Sequence, residues 1–206
     1  MKSLPDTIRD IQRRCGVKAD GIFGPLSAAA VWWELNADSA ECQVINDQQV
    51  VQDMDERTRY HLGALDAKAR ESFVSFARLA KATAATLGCD YVMIGGNRSY
   101  AEQDELYAQG RTKPGSKVTD ARGGYSNHNF GIAGDFGVFR GKAYLDDTDV
   151  AMAAKVHKAC SVHAAACGLE WGGSWKSFND LPHYEVETGL TLAAKRTLMN
   201  EKGSVL

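Results

Sequence analysis

The 206-residue sequence predicts an α+β domain, a small and mainly antiparallel sheet with flanking helices, preceded by a small helical module. Three observations predict it. Beyond residue 46, segments with apolar residues at helical spacing alternate with short apolar runs of strand length. Glycines and prolines punctuate these segments at their ends. Before residue 45 the periodicity is helical only, and it fades into an Asn-, Asp- and Gln-rich connector over 36–53. The boundary is therefore placed near 45, giving a module over 1–45 and a main domain over 46–206.

In the first region Pro5-Asp6 starts a helix carrying Ile8, Ile11 and Cys15, which Gly16 ends. Asp20-Gly21 marks a tight turn, and Gly24-Pro25 opens a second short helix with Ala28, Ala29, Trp32 and Trp33. In the second, Phe73, Phe76, Ala77, Ala80, Ala84 and Leu87 share a helix face that stops at Gly88. Tyr91-Val92-Met93-Ile94 is a strand running into Gly95-Gly96. Ser99-x-x-Glu102 is a capping box, so a helix follows and Arg98 stands at a strand-to-helix junction, a common address for ligand contacts. Residues 110–125 read as a long loop, and a helix is expected from about 149 to 167, capped by Asp147 or Thr148 and closed by Gly168.

Composition narrows the function. A hydrophobic content of 44% supports a packed core, and net charge −2 gives no basic field for nucleic acid. The sequence pI is near 6.2 and the mean hydropathy −0.32. No apolar run reaches bilayer length, so stable membrane insertion is not expected, and the N-terminus lacks the apolar core of a secretory signal. Five scattered cysteines suggest reduced thiols and synthesis in the cytosol.

Chemistry concentrates in Ser126-Asn-His128-Asn-Phe-Gly131-Ile-Ala133-Gly-Asp135 and in Asp180-Leu-Pro182-His183. Two imidazoles and a carboxylate are the protein ligands of a catalytic zinc site, whose fourth position is left for water. Asp180, three residues before His183, is placed to take a proton from that water. His128 and Asp135 have opposite strand parity, so Gly131 and Gly134 are expected to supply a bend or bulge. Pro182 keeps Leu181 out of a helix and puts Asp180 and His183 on a loop entering the strand His183-Tyr-Glu185-Val186. Glu185 then shares a face with His183; orienting that ligand competes with the commoner reading of a solvated glutamate. Cys160, His163 and Cys167 project from one helix, with His157 nearby, but lack a second element to complete a metal shell and read as structural.

These residues carry a resemblance. Ser126-x-His128-x-x-Gly131-x-Ala133-x-Asp135 resembles the zinc motif of the M15 family of D,D-peptidases and L-alanyl-D-glutamate endopeptidases. Asp180-x-Pro-His183, preceded by Trp171-Gly-Gly-x-Trp175, resembles the closing motif of the endopeptidase branch found in phage endolysins. Asn97-Arg98-Ser99, Gln103, Leu106-Tyr107 and Gly110-Arg111 are similar to that branch upstream of the zinc motif. The resemblance runs from about Met54 to the C-terminal helix. It implies Zn2+ on His128, Asp135 and His183, Asp180 as general base, and Arg98 holding substrate or stabilising negative charge. It also implies the small fold shared with the hedgehog signalling domain, and hydrolysis of peptidoglycan stem peptide between L-Ala and D-Glu. A D-Ala-D-Ala carboxypeptidase or dipeptidase, and a non-catalytic zinc-stabilised wall-binding protein, are the rival readings.

Ser126 either bonds substrate or fixes its loop, and Trp171 and Trp175 are candidate substrate contacts as pocket wall or core. Val17-x-x-Asp20-Gly21-Ile22-Phe23-Gly24-Pro25 resembles the short helical peptidoglycan-binding module, here abbreviated. An endolysin of this kind is expected to be a monomer that accumulates in the host cytoplasm until release, with bacterial peptidoglycan as its partner.

Overall fold

In the computed structural model the described residues are 51 and 53–206. The chain divides into units Met1–Gln49 and Val50–Leu206. The expected N-terminal module lies outside the described residues.

The second unit is a five-stranded antiparallel sheet with helices. Helix α1 (Glu56–Ala64) and the long α2 (Ala67–Thr86) lead into β1 (Asp90–Gly95), which is followed by α3 (Tyr100–Ala108). A 3-10 turn (Asn127–Phe130) precedes β2 (Ala133–Arg140) and the short β3 (Ala143–Tyr144). Helices α4 (Leu145–Thr148) and α5 (Val150–Ser161), β4 (Glu170–Trp171), β5 (His183–Glu185) and α6 (Leu192–Lys202) complete it. The sheet order is β1-β2-β5-β4, with β3 on β2. Among the described residues no helix is long and apolar enough to cross a membrane.

Each boundary has a local cause. Asp66 caps α2 by accepting from the Lys68 amide, and Gly88 leaves it at φ +68°, a conformation glycine adopts without a Cβ penalty. The Ser99–Glu102 capping box starts α3. The expected helix over 149–167 is shorter. Asp149, rather than Asp147 or Thr148, caps α5 by accepting from the Met152 amide, and residues 145–148 form a separate turn of helix. Past Ser161 the backbone tightens: the amides of His163 and Ala164 reach back only three residues, to Cys160 and Ser161.

The apolar core lies on one face of the sheet. Phe73 and Phe76 from α2 meet Phe136 from β2 and Tyr184 from β5, all fully buried. Phe76 packs edge-on to Phe136 at 5.3 Å, and Tyr91 stacks on Phe136 at 5.2 Å. Gly134 faces this core. A Cβ there would lie 2.4 Å from Met93 Cε and 2.9 Å from Phe73, so its role is close packing and not the expected bulge. The irregularity falls in β1, between Met93 and Gly95. Thr58 on α1 accepts from the Met93 amide at 3.0 Å, which satisfies a donor on the outer edge of β1.

One polar chain crosses the core. The Tyr91 hydroxyl bonds Tyr184 Oη at 3.0 Å and His157 Nδ1 at 2.8 Å. His157 Nε2 bonds Asp146 at 2.7 Å, and Asp146 also accepts from the Val138 amide at 2.8 Å. Burial opposes the Asp146 charge, but these two donors outweigh it and hold its carboxyl below the usual range. Stability from a depressed carboxyl is present above its unfolded value and lost as pH falls through the folded one. Asp146→Ala should therefore destabilise the protein at pH 7 by ~1–3 kcal/mol for each donor it orphans. In denaturant titrations the gap to wild type should stay constant above pH ~4 and narrow below it.

Candidate metal centre

The opposite face of the sheet carries the titratable residues. In β5 the side chains alternate, so Tyr184 enters the core while His183 and Glu185 face the other way. Asp135 on β2 pairs directly with His183 on β5. His128 arrives from the 3-10 turn, not from a strand, which removes the parity conflict. Gly131 makes the bend at φ +68°, where a Cβ would also lie 2.8 Å from the Asp66 amide nitrogen.

His128, Asp135 and His183 bring one ligand atom each within 4.8 Å of one another, and among the described residues they form the single such cluster. His128 Nε2 is 3.3 Å from Asp135 Oδ2, and His183 Nδ1 is 3.0 Å from Asp135 Oδ1. The outward nitrogens are both engaged. His128 Nδ1 bonds the Gly96 carbonyl at 2.8 Å, and His183 Nε2 bonds Glu185 at 2.9 Å. A carbonyl and a carboxylate only accept, so these nitrogens carry hydrogen and the lone pairs available to a metal are the two that face Asp135. The donor set of two imidazoles and one carboxylate, pre-oriented on a common point, fits a divalent transition metal. Glu185 is thus a partner of His183 and is largely buried, where the sequence favoured a solvated residue.

Electrostatics agree with a site built for a cation. Burial alone would raise the Asp135 carboxyl, but the His128 charge and hydrogen bonds from both histidines hold it well below the usual range. Burial opposes a charged His183; its bonds to Asp135 and Glu185 prevail and push it up to about 10. Without metal, then, His183 is protonated between two carboxylates, and a bound cation would take that proton's place.

The remaining candidates surround this cluster. Arg98 Nη2 lies 3.9 Å from Asp135 Oδ2, and Gln103 fixes the guanidinium by accepting from Nη1 at 2.8 Å. The Arg98 amide donates to the His128 carbonyl at 3.1 Å, and Asn129 Nδ2 donates to the Arg98 carbonyl at 2.9 Å, so the residue is locked to the metal loop. Arg98, Ser126, Trp175 and Asp180 all line one cavity of about 1020 Å³ with the three ligands. Burial, then the neighbouring Asp135 charge, raises the Asp180 carboxyl above its usual value.

The two tryptophans separate. Trp175 stands on the cavity wall with its ring 5.1 Å from that of His183. Trp171 does not line the cavity. Its indole donates to the Leu181 carbonyl at 2.8 Å and its ring covers Gly173, whose Cβ would come within 2.2 Å of it. Gly172 completes the support: its carbonyl accepts from the Asp180 amide at 3.1 Å, and a Cβ would strike the Asp180 carbonyl oxygen at 2.7 Å. The cysteine-rich helix holds no second centre among the described residues. Cys160 donates to the Ala80 carbonyl, His163 bonds Thr83, and His157 belongs to the core chain.

Comparison with known proteins agrees with this geometry. Residues 119–186 match the M15 peptidase family model described as D-alanyl-D-alanine carboxypeptidase, a span holding all three ligands and Asp180. The peptidoglycan L-alanyl-D-glutamate endopeptidase CwlK of Bacillus subtilis (strain 168) is 48% identical over 110 residues. Over these residues the chain is similar to M15 peptidases. The CwlK match covers 52% of the chain and 66% of CwlK, just under two thirds of that relative's length. The crystal structure of the Serratia marcescens L-Ala D-Glu endopeptidase ChiX is 22% identical, covers 64% of this chain and 87% of its own, and superposes with a TM-score of 0.43.

A cluster of two imidazoles and a carboxylate of this kind should bind one divalent ion. A 100-fold excess of zinc over its dissociation constant should raise stability by ~2.7 kcal/mol, visible as a higher Tm. His183→Ala should show no such shift. Since His183 is held protonated in the free protein and must lose that proton, calorimetry in buffers of different ionisation enthalpy should detect proton release on metal binding at pH 7; no release would contradict the assignment.

Proposed function

We propose that the domain is a zinc peptidase that hydrolyses the stem peptide of bacterial peptidoglycan, at the L-Ala–D-Glu bond. The observation that carries this reading is the meeting of the His128–Asp135–His183 cluster with Asp180 and Arg98 in one cavity. A purely structural ion has no need of a nearby carboxyl tuned upward. The apolar surface supports a sizeable ligand: of eight exposed large hydrophobic residues among those described, Val118, Tyr125, Phe178 and Leu190 line this same cavity.

Zinc at such a site supplies Lewis acidity, lowering the pKa of water from ~15.7 toward ~7. Asp180 takes the proton of the attacking water and hands it to the leaving amine. Its raised carboxyl suits it to both halves of that transfer. Arg98 donates to the negative charge that develops on the carbonyl oxygen, and Gln103 keeps its guanidinium from swinging away. Trp175 walls the site beside His183.

The choice of bond follows the name of CwlK. The D-alanyl-D-alanine carboxypeptidase description of the matched family keeps cleavage at that terminus as the second reading. Wall lysis in the manner of a phage endolysin belongs to the same proposal and is supported by the sequence motifs.

Purified sacculi and defined muropeptides test it. Mass spectrometry should find new N-terminal D-Glu, chelator should abolish release and zinc should restore it; release of D-Ala instead would favour the second reading. Asp180→Ala should keep metal but lose nearly all turnover, whereas His183→Ala should lose both. Arg98→Ala should cost ~10²–10³ in kcat with metal content intact.

A further inference from the structure

The sequence motifs end at His183, and the family match ends at residue 186. A contribution to the site comes from beyond both. Helix α6 packs against the 3-10 turn that bears His128, and it carries Lys195 into the cavity wall. Lys195 is 6% exposed. Lysine is almost never buried to that degree unless it is paired.

Its partners lead to the metal ligands. Lys195 Nζ donates to Asn127 Oδ1 at 2.8 Å. Asn127, Glu185 and Lys195 line the same cavity, Asn127 helps hold the Glu185 carboxyl below its usual range, and Glu185 Oε2 accepts from His183 Nε2 at 2.9 Å. Glu185 is the carboxylate whose charge Lys195 feels. Asn127 in turn precedes His128, so one run of neighbouring polar groups on the cavity wall reaches from the turn that delivers His128 to the second nitrogen of His183. Arg196, the next residue, holds the start of the same loop by donating to the Gly124 carbonyl at 3.0 Å and lying over the Tyr125 ring at 4.4 Å.

Resting on the metal-centre reading above, we propose that Lys195 is a positioning residue for the metal: through Asn127 and Glu185 it holds His183 with Nδ1 turned toward Asp135. Left without a cation, the Glu185 carboxylate could rotate toward solvent and release His183 Nε2. The ring would then lose the contact that selects its ligating nitrogen. Helix α6 is on this account part of the active-site frame and not a terminal decoration.

The test compares Lys195→Met, which keeps the aliphatic stem, with Glu185→Gln and the double variant in the full-length chain. Zinc affinity is read by competition with a chromophoric chelator, and the centre is probed by the visible spectrum of the cobalt(II) form. Each single variant should bind zinc ~10–100-fold more weakly and show a shifted cobalt spectrum. The double variant should be no worse than the weaker single, because the residues act in one chain. A Lys195→Met protein that melts earlier but keeps wild-type zinc affinity and cobalt spectrum would reduce Lys195 to a helix anchor and overturn the inference. Should that variant fail to fold by circular dichroism, Asn127→Ala serves in its place, with the same expected loss and the same overturning result. Wild-type protein that takes up no metal would instead overturn the metal-centre reading itself.

Discussion

Two histidine rings in this domain are held from behind, and the site depends on that constraint. Gly96 and Glu185 take the outward nitrogens of His128 and His183, so the inward nitrogens have nowhere to point but at Asp135. Each restraint comes from a different element. Gly96 follows β1, Glu185 lies on β5, and Asp135 sits between them on β2, opposite His183 and next to the irregularity at Gly95. A register slip of one residue in β2 or β5 would turn the ligands into the core and Phe136 or Tyr184 into the cavity. The aromatic packing that stabilises the sheet therefore also fixes where the ligands stand.

The supporting frame uses polar groups where an ordinary core would use apolar ones. Asn129 ties the loop of His128 to Arg98, Gln103 ties Arg98 to the loop at Ala121, and Asn127 ties that same loop of His128 to Lys195. Among the described residues no buried side-chain nitrogen or oxygen lacks a partner. Satisfied networks of this sort specify one arrangement, because any alternative leaves a polar group dry and unpaired. On the proposed reading such a site benefits twice, since neither the three cluster residues nor Arg98 would need to reorganise when charge develops.

Much of this was legible in the sequence, and the reasons differ by residue. Helix α2 announced itself through its Phe-Ala face and Gly88, and α3 through its capping box, because those signals are local. The meeting of His128, Asp135 and His183 was legible because residue type and spacing restrict chemistry, and Pro182 marks the loop-to-strand entry at which β5 begins with His183. What resisted was tertiary. Gly134 looked like a bend, but its lack of a side chain answers Met93 and Phe73, which are remote in sequence. The end of α5 carries no breaker between Ser161 and Cys167, so nothing local marks its tightening. Trp171 and Trp175 looked alike four residues apart, yet one props the Asp180 loop and the other faces the cavity. Lys195 had no motif around it at all.

The most direct check of the central claim is the protonation of the two rings in the zinc-loaded protein. Long-range 15N–1H imidazole spectra should show His128 carrying hydrogen on Nδ1 and His183 carrying it on Nε2, both unchanged between pH 6 and 8. Their other nitrogens should show the shifts of metal ligands. A reversed tautomer at either ring, or a ring titrating freely near ~6.5, would contradict the account.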